Sequence, residues 1–407
     1  MTSRPTFGRL AWLAPAALLI GACGDDRTVA PDGTPGDPTM PPTTTTGALC
    51  TSGQICTIAG TGIAGDGADA LPALQTRLYL PQDITYGPDG RLYVVDWNNH
   101  RIRVIDSDGT MHIVAGIGEL GPSVDDPSTD RLNHPTSVAF DPMGAPDEMY
   151  IAAWHNSRIK KAEVGTDTIV NVCGTGARGF GGNGGPAENA ILNLPVAVVF
   201  DAAGNLLIAD QANQMIRKVD RTTDVITTIA GVGECADAVN PDPCVLNDGG
   251  PATAAGFHFP IGQAASPGGR IALAADGTIY VADTDDFRLR RIDPNGIIDT
   301  LAGTGVWGFA GDGGPAAEAE LGRLSDVAVA PDGRIFIADT DNSCVRVVTP
   351  DGIINTFAGQ CGQQGFAGDG GPPAAALLDR PYGVEVGPAG EVYIADTHNQ
   401  RIRVAYP

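Results

Sequence analysis

The sequence predicts an all-β fold, a six-bladed β-propeller of four-stranded antiparallel blades, and three observations carry that prediction. First, a strand-like tetrapeptide recurs: YVVD ending at Asp96, YIAA at Ala153, LIAD at Asp210, YVAD at Asp283, FIAD at Asp339 and YIAD at Asp396. The spacing is about 57 residues, with one longer step between Asp210 and Asp283, and a period of that length holding four strands belongs to a propeller blade. Second, each tetrapeptide is followed by a basic strand (RIRVID, RIKKAE, MIRKVD, RLRRID, CVRVVT, RIRVAY). Five of these lead to a fourth strand with a small-residue ending: IVAG, NVCG, TIAG, TLAG and TFAG. Third, the last repeat stops at Pro407 after its third strand, and the missing fourth strand stands at the other end of the chain as ICTIAG, residues 55–60. The N-terminal strand is therefore expected to complete the sixth blade and close the ring, which leaves no inner edge exposed.

The stretch from Pro81 to Asp106 shows how one unit is built. DITYG is a first strand. Gly87, Pro88, Asp89 and Gly90 form a turn, because proline presets φ and glycine accepts positive φ. LYVVD has the β-branched and aromatic content of a second strand. Trp97 to His100 is a short connection into RIRVID, and Ser107-Asp108-Gly109 turns the chain into the fourth strand, MHIVAG. The pattern PxxVxxxxxGxxYIADxxNxRIRxxD followed by IxTxAGxG resembles the NHL repeat. The linkers GFAGDGGPAAEAEL (from Gly308) and GFAGDGGPPAAALL (from Gly365) resemble those of teneurin-type NHL propellers and of many bacterial surface proteins. The resemblance covers roughly Leu49 to Pro407. It implies the propeller fold, and it leaves function open because propellers host binding modules and enzymes alike.

Three segments follow from reading the chain in order. Residues 1–22 carry Arg4 and Arg9 and then LAWLAPAALLIGA, a run too short to span a bilayer comfortably and fitted to a signal-peptide core. It ends in Ile20-Gly21-Ala22-Cys23, which resembles a bacterial lipobox with Ile20 in the usual leucine place. Cys23 is thus the expected lipidation site and the source of a membrane anchor. Residues 23–48, rich in Pro, Thr, Gly and Asp, cannot bury enough apolar surface to order themselves and read as a tether. Residues 49–407 are the propeller. A net charge of −23 argues against a nucleic-acid partner, since phosphate binding needs a basic face. The expected location is the cell envelope, after export.

Seven cysteines besides Cys23 fit an oxidising compartment. Cys235 and Cys244 bracket an insertion. Cys50 and Cys56 are placed to close the start of the domain. Antiparallel pairing brings Cys344 near Ala358, within reach of Cys361. Cys173 stands where the AG signature has alanine and reads as a small buried residue. No cysteine spacing resembles a zinc site.

The glycine-rich segments after the fourth strands lack the Gly-Lys-Ser/Thr of a phosphate loop and read as turns. Their GDGG elements carry Asp312 and Asp369, with Asp66, Asn183 and Asp248 at matching places, and suit Asx turns before a short helical turn. No cofactor is predicted; calcium at these carboxylates, or zinc, is the cofactor class left open. The aspartate closing each second strand is expected to pair across the turn, Asp96 with Arg101, and Ala153 should leave the second blade's turn the least anchored. Arg103, Lys160, Arg217, Arg290, Arg346 and Arg403 form a matching series that suggests a structural ladder.

In propeller topology the loops into the first strands and the second-to-third-strand turns open on one face. That face receives His134 and His258 from the former and His100, His155 and His398 from the latter, with Trp97, Trp154 and Trp307, and with Phe180, Phe309 and Phe366 as apolar tips. So many aromatics on one side suggest a contact surface for a protein or glycan; packing under the ring accounts for them equally. Two functional classes remain. One is a lipid-anchored, non-enzymatic binding scaffold. The other is a metal-dependent propeller enzyme, similar to amidating lyases or lactonases, working at the central channel. There Asp83 and Asp326 occupy matching positions, Glu385 lies in another first strand, and His134 and His258 are candidates for the same mouth.

Overall fold

A computed structural model describes residues 50–121, 131–166, 168–233, 246–262 and 266–407. Six separate antiparallel sheets form within these residues, and between their strands the only helical elements are three-residue 3-10 turns. Blade 1 runs Pro81–Tyr86, Leu92–Asp96, Arg101–Ile105 and Thr110–Ala115. The first strands of blades 2 to 6 are Pro135–Phe140, Pro195–Phe200, Ile271–Leu273, Leu324–Val329 and Gly383–Val386. Each of the six first strands contacts its two neighbours, so they circle a central channel. Ring closure is as expected: Ile55–Ala59 pairs antiparallel with Arg401–Ala405, Ile55 opposite Ala405 and Thr57 opposite Arg403.

The core lies between blades, not inside one of them. Second strands such as Leu92–Asp96, Ile335–Asp339 and Val392–Asp396 are buried along their whole length. A typical layer joins Tyr93, Val95 and Val104 of blade 1 to Val138, Met149 and Ile151 of blade 2. A strand sandwiched on both faces reads as a continuous apolar run, which is why these tetrapeptides do not alternate.

The linkers that carry the GDGG elements also cover the blades' outer edges. After leaving one blade, the chain lies against the fourth strand of the next. Gly313 N–H donates to Ile354 O (2.9 Å) and Ile354 N–H donates to Gly314 O (3.0 Å). Gly370 and Gly371 do the same with Ile55 (2.8 and 3.0 Å), and Leu71–Pro72 and Gly250–Pro251 form a short fifth strand on blades 1 and 4. Pairing and a following proline blunt an edge that would otherwise recruit another chain. Cys344–Cys361 and Cys50–Cys56 are disulfides, and Cys173 is free and buried. Cys23, both N-terminal segments, Cys235 and Cys244 lie outside the described residues.

Candidate functional site: a buried ladder, a loop face and a central channel

In blades 1, 3, 5 and 6 the ladder is built from an aspartate, an asparagine and an arginine; blade 4 has Asp286 in the asparagine place. In blade 1, Arg103 Nε donates to Asp96 Oδ2 (2.6 Å) and Asn99 Nδ2 donates to the same oxygen (2.8 Å). Asp96 Oδ1 accepts the N–H of Tyr79, just ahead of the blade's first strand (2.8 Å). Arg103 Nη2 reaches on to Asp66 of the linker (2.6 Å). This corrects the expected Asp96–Arg101 pair: the two are opposite in register, but Arg101 pairs with Asp66 (3.0 Å) and the buried partner is Arg103. In a strand, Arg101 and Arg103 share one face, and only the second reaches below the turn to the aspartate. The linker aspartates are correspondingly more than turn formers. Asp248, Asp312 and Asp369 each lie 2.6 Å from Arg290, Arg346 and Arg403, which in turn pair with Asp283, Asp339 and Asp396. Blade 3 has Asn183 in that place, and Arg217 is covered by the ring of Phe180, 4.8 Å from its centroid. Blade 2 was expected to be the least anchored. It is held differently: with Ala153 in place of the acid, Asn156 Oδ1 accepts the N–H of Asn133 (2.9 Å), the task Asp96 performs for Tyr79.

On the loop face, sequence reasoning grouped residues that the structure separates. His100, His134 and His155 do converge, with ring centroids 4.5 Å and 4.7 Å apart around His134. The ring of Trp97 lies 4.4 Å from His134, and Trp154 stacks on His155 at 4.1 Å. Burial drives the imidazoles toward the neutral form: His134 falls to about 2, helped by its two histidine neighbours, and His100 falls to about 4. Trp154 is only 1% exposed and donates its Nε1–H to Gln211 Oε1 (3.1 Å), so it packs and does not present itself to a partner. His258 stands apart, paired with Asp286 (3.0 Å), and His398 stacks on Tyr382. Trp307, in contrast, is 56% exposed. With Ile63, Ile117, Phe180, Val232 and Phe366 it places an exposed apolar side chain on each of the six inter-blade linkers.

The central channel holds a feature the sequence did not disclose. Asp83 and Asp326 line it as expected, but Arg270 of blade 4 crosses it. Arg270 Nη1 lies 2.7 Å from Asp83 Oδ1 in blade 1 and 3.5 Å from Asp326 Oδ2 in blade 5, and Nη2 donates to Thr136 O in blade 2. Burial pushes both carboxyls up, Asp326 to about 7, against the pull of Arg270. Neither His134 nor His258 lines the channel cavity. Between this crossbar and the first-to-second-strand turns lies a cup of 530 Å³, rimmed by Gly87, Pro88, Asp141 and Pro142. Glu385 is on its wall, and burial, then Asp83 and Asp326, push its carboxyl up to about 8. Among the described residues, no three His, Cys, Asp or Glu side chains are grouped as a metal ion would require.

With this geometry in hand, comparison with known proteins is decisive for the family. Residues 55–248 match the Teneurin NHL domain, and residues 321–348 and 378–405 match the NHL repeat. The chain belongs to the NHL-repeat propellers. Teneurin-1 of Mus musculus is 28% identical over 360 residues, which are 82% of this chain and 12% of that protein. This NHL propeller therefore spans about an eighth of the length of the teneurins it matches. Among solved structures, an auxiliary nutrient binding protein from Bacteroides thetaiotaomicron superposes with a TM-score of 0.60 at 16% identity, covering 86% of this chain and 75% of that one. A gluconolactonase from Xanthomonas campestris superposes with a TM-score of 0.51 at 12% identity, covering 87% and 89%. At such identities both show a shared fold alone.

Proposed function

We propose that this NHL propeller is a non-enzymatic scaffold that binds a protein or glycan through its loop face, exported and held at the cell envelope by lipid on Cys23. The observation that carries the reading is the ring of exposed apolar side chains, one on each inter-blade linker; four of these linkers are tied to their blade by a half-exposed aspartate paired with a buried arginine. Rigid scaffolds with adaptable tips suit recognition. The repeated second-strand aspartates are paired with arginines inside the blades. The auxiliary nutrient binding protein shares the architecture and is compatible with a binding role. The second reading, a channel enzyme of the lactonase or amidating-lyase kind, draws on one observation: Glu385, a carboxyl with a raised pKa in a cavity, as general acid–base chemistry favours.

The test compares two variants of equal size. One carries Trp307→Ser, Phe309→Ser and Ile63→Ser; the other carries Pro88→Lys, Pro331→Lys and Pro350→Lys, at exposed positions in the turns of the opposite face. In pull-downs of envelope components and binding to glycan arrays, capture by the first should fall at least tenfold while the second, checked for an unchanged fold, keeps it. Retention by the first and loss by the second would overturn the loop-face reading.

A further inference from the structure

We propose that the channel cup is a binding site for an alkylammonium group, a free primary amine or the lysine side chain of a partner, with Glu385 as its counter-ion. The site lies on the face opposite the exposed loops, so it stands or falls independently of the scaffold reading.

Two rings of register-equivalent positions define the cup. The floor is Asp83, Ser137, Ala197, Arg270, Asp326 and Gly383. The next ring toward the turns is Thr85, Ala139, Val199, Ala272, Ala328 and Glu385. In that second ring one position is charged, one carries a hydroxyl, and four are small and apolar. Among the described residues, Arg270 is the only basic side chain lining the cavity, and it is committed to Asp83, Asp326 and the carbonyl of Thr136. At the rim, Asp141 of blade 2 is held by Arg221, Tyr86 of blade 1 shares a hydrogen bond with Tyr393, and blade 3 contributes nothing that titrates. Glu385 alone is left without a cation. It is partly accessible and lines the cup.

The volume falls in the range of small-ligand sites. A carboxylate that accepts only from the backbone N–H groups of Tyr86 and Val386, and has no cation beside it, faces apolar walls and matches a compact monocation on an alkyl chain. A divalent metal ion would need several oxygens, and here the other three carboxylates of the lining, Asp83, Asp141 and Asp326, are already paired with arginines. Below about pH 8, the value to which burial lifts Glu385, binding converts the neutral carboxyl to carboxylate and releases one proton to solvent. Affinity should therefore rise about tenfold per pH unit from 6 toward 8 and then level.

The probe is n-butylamine, titrated calorimetrically into the intact protein, with 1-butanol as the uncharged match. The expected result is butylamine binding with proton release, no binding of butanol, at least tenfold loss in Glu385→Gln, and loss again in Ala272→Leu, at a partly exposed wall position, which narrows the cup without touching charge. Trp307→Ser should bind as wild type. A Gly-Lys-Gly peptide that binds with the same Glu385 dependence identifies a partner's lysine as the source; binding of butylamine alone identifies a free amine. Full binding by Glu385→Gln with an unchanged melting temperature would overturn the proposal. So would equal binding of butanol, or calcium competing with butylamine in a Glu385-dependent way.

Discussion

Each blade buries one arginine or lysine of the ladder completely, and what those side chains do sets the first expectation. A buried pair contributes little net stability, but removing one partner strands a charge and costs about 3–5 kcal/mol. Asp339→Leu leaves Arg346 with only the half-exposed Asp312 inside blade 5, so urea unfolding should show a loss of that size. The double replacement Asp339→Leu with Arg346→Met should recover much of it, and additive losses would refute the ladder. The histidines give a second expectation, with a definite sign. His134 and His100 stay neutral in the fold well below the ordinary value of about 6.5. Their contribution is thus intact above that value and is lost as pH falls toward 4. His134→Asn keeps the left-handed backbone there (φ 53°) and removes the titration. The melting-temperature gap between wild type and variant should shrink between pH 7 and 4.5; a constant gap would show that protonation of this cluster is irrelevant to stability. At this scale the sequence was partly legible. The arginine series and the histidine face could be read from the repeat alone. The crossing of Arg270 could not, because it joins four blades through one side chain that breaks the repeat, and no periodic signal marks a departure's partners.

At the scale of the element, the fourth strand of blade 6 comes from the chain's other end. Deleting residues 55–60 should expose the edge of Arg401–Ala405, where Ile402 and Val404 are buried, and remove Ile55 and Ala59 from two inter-blade layers. We expect aggregation and early proteolysis within blade 6; melting equal to the parent would refute the pairing. Strands and ring closure were legible because four-strand units repeat with turn residues between them. The linkers were legible only as turns. Their pairing to the next blade's outer strand is a contact between consecutive repeats, and Gly-Gly-Pro carries no hydropathy pattern from which to read a strand. The same limit hid Asp66 and its counterparts as arginine partners: nothing local distinguishes a turn aspartate from one that reaches into a blade.

For the whole molecule, the anchoring reading makes a separate expectation. If lipid on Cys23 is the attachment, Cys23→Ala should move the protein to the soluble fraction after a carbonate wash and abolish fatty-acid labelling; retention in the membrane would refute it. The propeller itself should be unaffected, since its blades hold one another through their own interfaces. The clasp in blade 6 also sets a calendar for folding. Blades 1 to 5 can each pair their strands as soon as a single repeat is available, yet the strand at Ile55–Ala59 has nothing to join until Arg401–Ala405 exists. A segment synthesised among the first is used among the last, and until then the nascent ring is an open arc with an unsatisfied strand at each end. Completion is a long-range event, of the kind that makes folding slow, and any factor that shields Ile55–Ala59 during that interval would govern how much of the chain reaches its closed form.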